Sequence, residues 1–268
     1  RLEIGMTGPD GEPLCIDVAV VGSLESGKVL LSSSGIHGVE GYPGSAIQLA
    51  VMDDLCKEEA FKDHAVIFVH IINPYGMAWW RRFNENNVDL NRNFLTRNQE
   101  YSGVPDGYEQ IREFINPESP PPKKEKWFKL KALNLIRKYG FNNLKQWVAE
   151  GQYEYPKAIQ YGGDCLQPGP DLLLNWLDKT LKDVKEIWAI DLHTGLGPSG
   201  YDTLLVSEGM TVDDFNHFEI LFPGHIESLD PNAGVGYQIV GDLHQGLIDR
   251  YDHIKWLALT QEFGTFKP

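Results

Sequence analysis

Apolar residues fall into short runs that alternate with amphipathic stretches, and the first series lies in the amino-terminal third of the chain. Three of its runs predict strands and one stretch with helical spacing predicts a helix: CIDVAVVG (15–22), KVLLSSS (28–34), AVIFVHIINP (65–74) and, for the helix, SAIQLAVMDDLC (45–56). Runs of Val, Ile and Leu without alternation are typical of strands that helices cover on both faces. This series therefore predicts the start of a βαβ arrangement.

A second series of the same kind occupies the carboxyl-terminal part of the chain. It predicts the helices DLLLNWLDKTL (171–181) and TVDDFNHFEILF (211–222), and the strands EIWAIDLH (186–193), DTLLV (202–206) and IKWLALTQEF (254–263). Because 268 residues, 42% of them apolar, can bury one large core, we expect both series to share one sheet in a single domain, residues 1–268.

The segment between the two series, about residues 96–163, is richer in Pro and in charged residues. Within it, apolar residues recur at helical spacing while lysines occupy the other face; the spaced positions are Trp127, Leu130, Leu133 and Ile136 or Arg137. We interpret the segment as a helical insertion that covers one end of the sheet. Its lysines are interpreted as a solvated helix face rather than an anion-binding site.

The charge and the cysteines narrow the class of protein. Nucleic acids and anionic membranes attract a basic face, so a net charge of −14 argues against either as the main partner. No stretch approaches the roughly 20 apolar residues of a membrane span. Cys15, Cys56 and Cys165 are far apart and predict neither a disulfide framework nor a Cys-rich metal site. We expect a cytoplasmic enzyme, although a chain that begins without Met leaves a removed leader open.

Two predicted strands end in glycine-flanked turns that contain histidine. The turn GIHGVEG places His37 and Glu40 three residues apart, where glycines let the backbone bend. In the second series, Asp191 and His193 lie two residues apart and point to the same face of a strand. Two His and one Glu, with one position left for water, are a recurrent catalytic zinc set. Each pattern by itself also occurs in surface loops and at strand ends where a histidine bonds the backbone.

Two further polar groups lie near predicted strand ends. Glu262 closes the last apolar run, where it can take a proton from water and pass it to a leaving nitrogen. The stretch WWRRFNENNVDLNRNF (79–94) contains three Arg and five Asn. One arginine suits a developing oxyanion, and Asn91 with Arg92 suits bidentate recognition of a substrate carboxylate. A polar loop with surface salt bridges is the alternative interpretation.

Four stretches, in this order, resemble the zinc metallocarboxypeptidases of the carboxypeptidase A type, most closely their bacterial, partly uncharacterised branch. They are GIHGVEG, NPYGMAWWRRFNENNVDLNRNF, DLHTGLG and LTQEFGT. The most specific feature combines two motifs, Asn-Pro-x-Gly (73–76) and Asn-Arg-Asn-Phe (91–94), with Arg82 between them, nine residues before the second motif. The resemblance implies one α/β domain with a twisted, mixed, mainly eight-stranded sheet between helices, the phosphorylase/hydrolase-like fold of carboxypeptidases, with its site at the strand ends.

The resemblance implies one zinc ion held by His37, Glu40 and His193. By position, Glu262 resembles the general base and acid of the family. The family also has a mobile tyrosine above the substrate, and Tyr237 in GVGYQIVGD is the candidate for it.

The central stretch carries the remaining implied roles. Arg82 resembles the arginine that polarises the scissile carbonyl, and only one residue of spacing distinguishes it from Arg81. Asn91 and Arg92 resemble the clamp for a terminal carboxylate. Asp89 resembles the carboxylate that orients the first zinc histidine.

The resemblance implies a zinc metallopeptidase that removes the C-terminal residue of a peptide. Its partner would be a peptide or a small-molecule substrate with a free carboxylate, with no nucleic acid and no membrane. Zinc amidohydrolases of the succinylglutamate desuccinylase or aspartoacylase type, which deacylate N-acyl amino acids, use the same ligands, but the longer RFNENNVDLNR interval argues against them. A catalytically inactive metal- or carboxylate-binding protein is the third alternative, and the presence of Glu262 argues against it. The sequence sets neither the preferred residue nor the oligomeric state.

Overall fold

The apolar runs of the sequence pair side by side in one sheet. The computed structural model describes residues 1–57, 63–119, 127–206, 211–228 and 238–266. Its strands are β1 (Leu2–Thr7), β2 (Pro13–Gly22), β3 (Lys28–Ser34), β4 (Ala65–His70), β5 (Glu186–Thr194), β6 (Asp202–Val206), β7 (Ile226–Ser228) and β8 (Lys255–Phe263). They lie in the order β1-β2-β4-β3-β5-β8-β6-β7, so the two series of the sequence share one sheet, as predicted.

The sheet is mixed. Its centre, β4-β3-β5-β8, is parallel, whereas β2 runs antiparallel to β4 and β6 runs antiparallel to β8. β4 is buried along nearly its whole length, as expected of a strand covered on both faces. The predicted single-domain α/β fold with a mixed eight-stranded sheet is therefore confirmed.

Helices pack around this sheet and complete the core. They are α1 (Gly41–Lys57), α2 (Pro74–Ala78), α3 (Tyr108–Ile115), α4 (Phe128–Tyr139), α5 (Phe141–Ala149), α6 (Pro168–Thr180), α7 (Val212–Leu221) and α8 (Leu243–Arg250). Leu173 and Leu177 of α6 and Leu247 of α8 join strand residues such as Ile67 and Ile187 in one buried cluster. Each such side chain contributes about 1.5–3 kcal/mol by leaving water.

The segment about 96–163 contributes α3, α4 and α5 and, within its described residues, no strand of the sheet. The helix predicted around Leu130 is present as α4. Its predicted apolar positions are exposed, however: Trp127 by 64%, Leu130 by 56% and Leu133 by 61%. The side of α4 that faces the protein instead carries Ala132 and Leu135, which are half-buried and line an apolar cleft between α3, α4 and α5. The difference arises because α4 has apolar residues on two sides.

The carboxyl ends of β3, β5 and β8 meet at one edge of the sheet, because these three neighbouring strands are parallel. Open α/β sheets place their sites at this edge. Among the helices of the described residues, none combines the length and the apolar composition needed to cross a bilayer.

Candidate metal centre

The three candidate ligands and the candidate base come from the ends of three neighbouring strands. β3 leads into His37 and a short 3-10 turn that ends at Glu40. His193 lies near the end of β5, and its register partner on β8 is Glu262. Partners on adjacent strands point to the same face of a sheet, so the fold directs these side chains to one place.

The candidate ligands form one buried cluster. His37 Nδ1 lies 2.9 Å from Glu40 Oε1, and His193 Nδ1 lies 3.3 Å from Glu40 Oε2. One ligand atom from each residue falls within 4.8 Å of the other two, and the two imidazole rings meet edge to face at 5.0 Å. Two imidazole nitrogens and a carboxylate oxygen at this spacing fit the donor set of a zinc site.

The outer nitrogens of both histidines face carboxylates. His37 Nε2 lies 3.2 Å from Asp89 Oδ1, and His193 Nε2 lies 2.7 Å from Asp191 Oδ2. Ser33 Oγ donates to the other oxygen of Asp191 at 2.7 Å. At His193, donation of Nε2–H to Asp191 leaves Nδ1 as the nitrogen that can bind a metal ion. At His37, Nε2 also lies 2.7 Å from Arg82 Nη2, which can only donate.

Neighbouring groups set the protonation of the cluster. Burial by itself raises the pKa of the Glu40 carboxyl, but His37 and His193 outweigh burial and hold that pKa well below its ordinary value. Burial lowers the pKa of His193, but Asp191 and Glu40 outweigh it and raise that pKa well above its ordinary value. Glu40 is therefore held as a carboxylate and His193 as a cation. A metal cation that enters this cluster would release the proton from His193.

Asp89 carries a second buried negative charge beside the cluster. Burial by itself raises the pKa of Asp89, but Arg82 and His37 outweigh it and hold that pKa well below the ordinary value. Arg82 Nε and Nη2 each lie 3.1 Å from Asp89 Oδ2. The carboxylate that faces His37 is therefore ionised and fixed by a guanidinium, as an orienting group must be.

Glu262 adds a buried carboxyl beside the ligands. Its Oε2 accepts a hydrogen bond of 3.2 Å from the Leu196 backbone N–H. Burial raises the pKa of Glu262 above its ordinary value, against the opposing effect of His193. A carboxyl of raised pKa is a better proton acceptor once it is ionised, which suits a general base.

The NPYG motif (73–76) holds two segments together: the ligand turn, residues 37–40, and the arginine loop, residues 79–94. Asn73 Oδ1 accepts the Gly76 N–H at 2.8 Å at the start of α2, and Asn73 Nδ2 donates to the Arg82 carbonyl at 3.1 Å. The Gly38 N–H donates to the same carbonyl at 3.1 Å. A Cβ on Gly38 would lie only 2.1 Å from the Gly76 backbone, so this turn requires glycine. The sequence identified the motif but gave Asn73 no role.

The two adjacent arginines face different surroundings. Arg82 Nη2 lies 2.7 Å from His37 Nε2, and Arg82 Nη1 lies 3.6 Å from Glu40 Oε1. Arg81 Nη2 instead donates to Asn87 Oδ1 at 3.1 Å, with its guanidinium 6.0 Å from the Tyr75 ring centre. The arginine beside the ligand cluster is thus Arg82, which the spacing alone favoured by only one residue.

The two side chains predicted to clamp a substrate carboxylate, Asn91 and Arg92, form hydrogen bonds with the backbone of the protein itself. Arg92 is 1% exposed; its Nε and Nη2 donate to the Ala149 carbonyl at 3.0 and 2.5 Å, and its Nη1 donates to the Asn91 carbonyl at 2.7 Å. Asn91 Oδ1 accepts the Leu243 N–H at 3.0 Å. These bonds connect both side chains to the backbone rather than to the ligand cluster. Their role as a clamp stays a prediction, as does that of Tyr237, which lies outside the described residues.

Two backbone N–H groups form hydrogen bonds with the carboxylates of Glu40 and Glu262, and the sequence did not predict these bonds. The Thr194 N–H donates to Glu40 Oε2 at 2.8 Å, at the end of β5. Together with the Leu196 N–H on Glu262, it fixes one oxygen of each carboxylate. Every residue type except proline supplies such a donor, so residue identity does not single out these two positions.

The backbone resembles that of metallocarboxypeptidases. The structure of thrombin activatable fibrinolysis inhibitor (TAFI) matches with a TM-score of 0.54 and 16% identity, over 97% of this chain and 62% of that one. The structure of the carboxypeptidase A from Helicoverpa armigera matches with a TM-score of 0.54 and 12% identity, over 100% of this chain and 60% of that one. The predicted resemblance is confirmed at the level of the fold.

The chain spans about six-tenths of the length of these two proteins. No curated protein sequence matches it. A family model matches residues 1–268, and its description is "Protein of unknown function (DUF2817)". The chain therefore belongs to the DUF2817 family.

Proposed function

We propose that this protein hydrolyses amide bonds with one zinc ion held by His37, Glu40 and His193. The observation that carries the proposal is a buried three-residue ligand cluster with a fourth buried residue, Glu262, whose carboxyl lies opposite His193 on the next strand. A structural ion-pair network has no need of a carboxyl whose pKa is raised, whereas a hydrolytic site does.

The side chains around the cluster can perform the proton and charge transfers of this reaction. Zinc at this position supplies a Lewis acid that polarises a carbonyl and lowers the pKa of a water molecule. Glu262 accepts a proton from water and returns it to the departing amine nitrogen. Arg82 donates hydrogen bonds to the substrate oxygen that gains negative charge. Asp191 keeps His193 in the orientation that presents Nδ1, and Asp89 with Arg82 fixes the ring of His37 through Nε2.

For the substrate, we propose a peptide from which the protein removes the C-terminal residue. This selectivity needs a group that reads a free carboxylate, and the resemblance gives that role to Asn91 and Arg92. For Arg92 to take it, the guanidinium must exchange the Ala149 carbonyl for the substrate carboxylate. Deacylation of N-acyl amino acids uses the same cluster and remains the rival activity.

The proposal is tested by comparing the zinc content and activity of the wild-type protein with those of a variant that lacks one ligand. Elemental analysis is expected to find one zinc ion per wild-type chain, and His193→Ala is expected to lose the ion and the activity together. The matched control is His225→Ala, because His225 pairs with Asp202 outside the cluster and its loss should leave zinc content unchanged. Full activity of a zinc-free chain would refute the proposal.

Product masses distinguish the substrate classes. The zinc-loaded protein is incubated with peptides in two matched forms, one with a free C-terminal carboxylate and one with a C-terminal amide. Loss of single residues from the free acids alone supports a carboxypeptidase. Equal cleavage of both forms shows that Arg92 does not select the substrate, and release of short acyl groups from N-acyl amino acids supports the rival.

Arg82→Ala is expected to lower kcat by about 100-fold, the usual cost of removing one group that stabilises an oxyanion. Arg81→Ala is the matched control and is expected to keep most of the activity, because Arg81 bonds Asn87 and not the ligand cluster. Steady-state kinetics on the best peptide substrate measure both, with zinc content and melting temperature recorded for each variant. Equal losses in the two variants would contradict the assignment of Arg82.

A further inference from the structure

The outward side of α4 exposes large apolar side chains. We define the outer face of α4 as Trp127, Leu130 and Leu133, which are three residues apart and therefore lie on one side of the helix. All three are more than half exposed. The opposite side of α4 carries Ala132 and Leu135, which are half-buried and line an apolar cleft between α3, α4 and α5. The outer face is thus a second apolar surface that the helix does not need for its own packing.

The charge around this face has the opposite sign to that of the chain. Residues 126–149 contain six Lys or Arg and no Asp or Glu, whereas the whole chain carries a net charge of −14. Lys129, Lys131, Arg137 and Lys138 are exposed on α4 beside the outer face. Among the described residues 127–149, the charged side chains are therefore all cations.

We infer that the outer face of α4 docks on the surface of a bilayer that contains anionic phospholipid. A helix with Trp and Leu projecting outward between lysines lies in the interface plane, with the apolar groups among the acyl chains and the cations level with the phosphates. Lysine suits this arrangement because its aliphatic stem packs on apolar surface while the ammonium stays in water. This inference is independent of the proposed hydrolase activity.

Other occupants fit this surface less well. A nucleic acid would leave Leu130 and Leu133 without apolar partners. An acidic protein would satisfy the cations, but one convex helix side with three apolar residues is small for a stable protein interface. The net charge of −14 would by itself repel an anionic membrane. Salt screens charges that lie more than about 10 Å from the bilayer, so the distant acidic residues oppose the docking only weakly. Only the charges next to the bilayer decide the docking.

Vesicle co-sedimentation of the full chain tests the inference. Vesicles of phosphatidylcholine mixed with phosphatidylglycerol are expected to bind the protein about tenfold better than vesicles of phosphatidylcholine alone, and added salt is expected to reduce the binding. The double variant Leu130→Ser with Leu133→Ser should lose about tenfold of the binding to the mixed vesicles. Both residues are exposed, so circular dichroism should show that the variant stays folded.

The matched control lies on α7, where Val212 and Ile220 are 76% and 77% exposed but stand beside Asp213, Asp214 and Glu219. Val212→Ser with Ile220→Ser is expected to bind the mixed vesicles as the wild type does. Equal binding to both vesicle types, no binding to either, or an equal loss in the control would overturn the inference. Self-association in the absence of vesicles that Leu130→Ser with Leu133→Ser abolishes would also overturn it, by assigning the face to a second copy of the chain.

Discussion

Glu262→Gln is expected to lower the rate of amide hydrolysis by about 10³-fold while the protein keeps its zinc. The substitution removes the only proton acceptor proposed for the reaction but preserves the size of the side chain. Gln can still accept the Leu196 N–H through its amide oxygen, so the end of β8 should keep its structure. The loss should therefore appear in kcat and not in zinc content or in the melting temperature.

The matched control for Glu262 is Glu186→Gln, which changes a carboxylate at the opposite end of the parallel strands. Glu186 begins β5 and its Oε1 accepts the Trp188 indole N–H at 3.1 Å, so it has no part in the cluster. Wild-type turnover by Glu262→Gln with a full complement of zinc would remove Glu262 from the mechanism.

The pH profile gives a second measurement on the same residue. Burial raises the pKa of Glu262 above the ordinary 4.5, and the ionised form is the one that accepts a proton. Activity should therefore be present above the raised pKa and should fall as the pH drops through it, so the acidic limb of kcat/KM lies above pH 4.5. The residual activity of Glu262→Gln should lack this limb.

The parts of the fold that the sequence predicted are those with continuous apolar runs. The strands of the sheet centre, β4, β3, β5 and β8, were each predicted from a run of apolar residues, and β4, buried along nearly its whole length, has the pattern of a strand covered on both faces. β1 was missed because its residues alternate between half-buried and exposed positions, and β7 because it has only three residues. Both lie at the edges of the sheet, where pairing with one neighbour stabilises a weak pattern.

The residues around the candidate metal centre also differ in how far the sequence predicted their positions. That His37, Glu40 and His193 lie close together was predictable, because each follows or closes a predicted strand and parallel strands bring those ends to one edge. The surroundings of Arg92 were not predictable, because its acceptor is the Ala149 carbonyl, 57 residues away at the end of α5. A backbone acceptor has no sequence signature. The same limit applies to α4, where spacing predicted the helix but could not tell which of its two apolar sides faces the protein.

Arg92→Ala is expected to lower the free energy of unfolding by about 3 kcal/mol. The guanidinium is buried, and its loss would leave the Ala149 and Asn91 carbonyls without these donors and open a cavity beside them. Gly151 packs on the same side chain, since a Cβ at that position would lie 2.8 Å from Arg92 Cδ. Arg92 thus joins the end of α5 to the arginine loop, and urea unfolding measures what that connection contributes.

Arg97→Ala is the control for Arg92, because Arg97 makes several bonds to Asp249 and Asp252 but at the surface, where water replaces them. Its unfolding midpoint should barely change. Arg92→Lys then separates the two roles of Arg92: lysine keeps the charge but cannot donate through both Nε and Nη2 to one carbonyl. If Arg92 holds α5 in place, Arg92→Lys unfolds at lower urea concentration and keeps the wild-type ratio of activity on free-acid and amidated peptides. If Arg92 serves only to read a substrate carboxylate, the variant keeps its stability, and KM rises for the free acids alone.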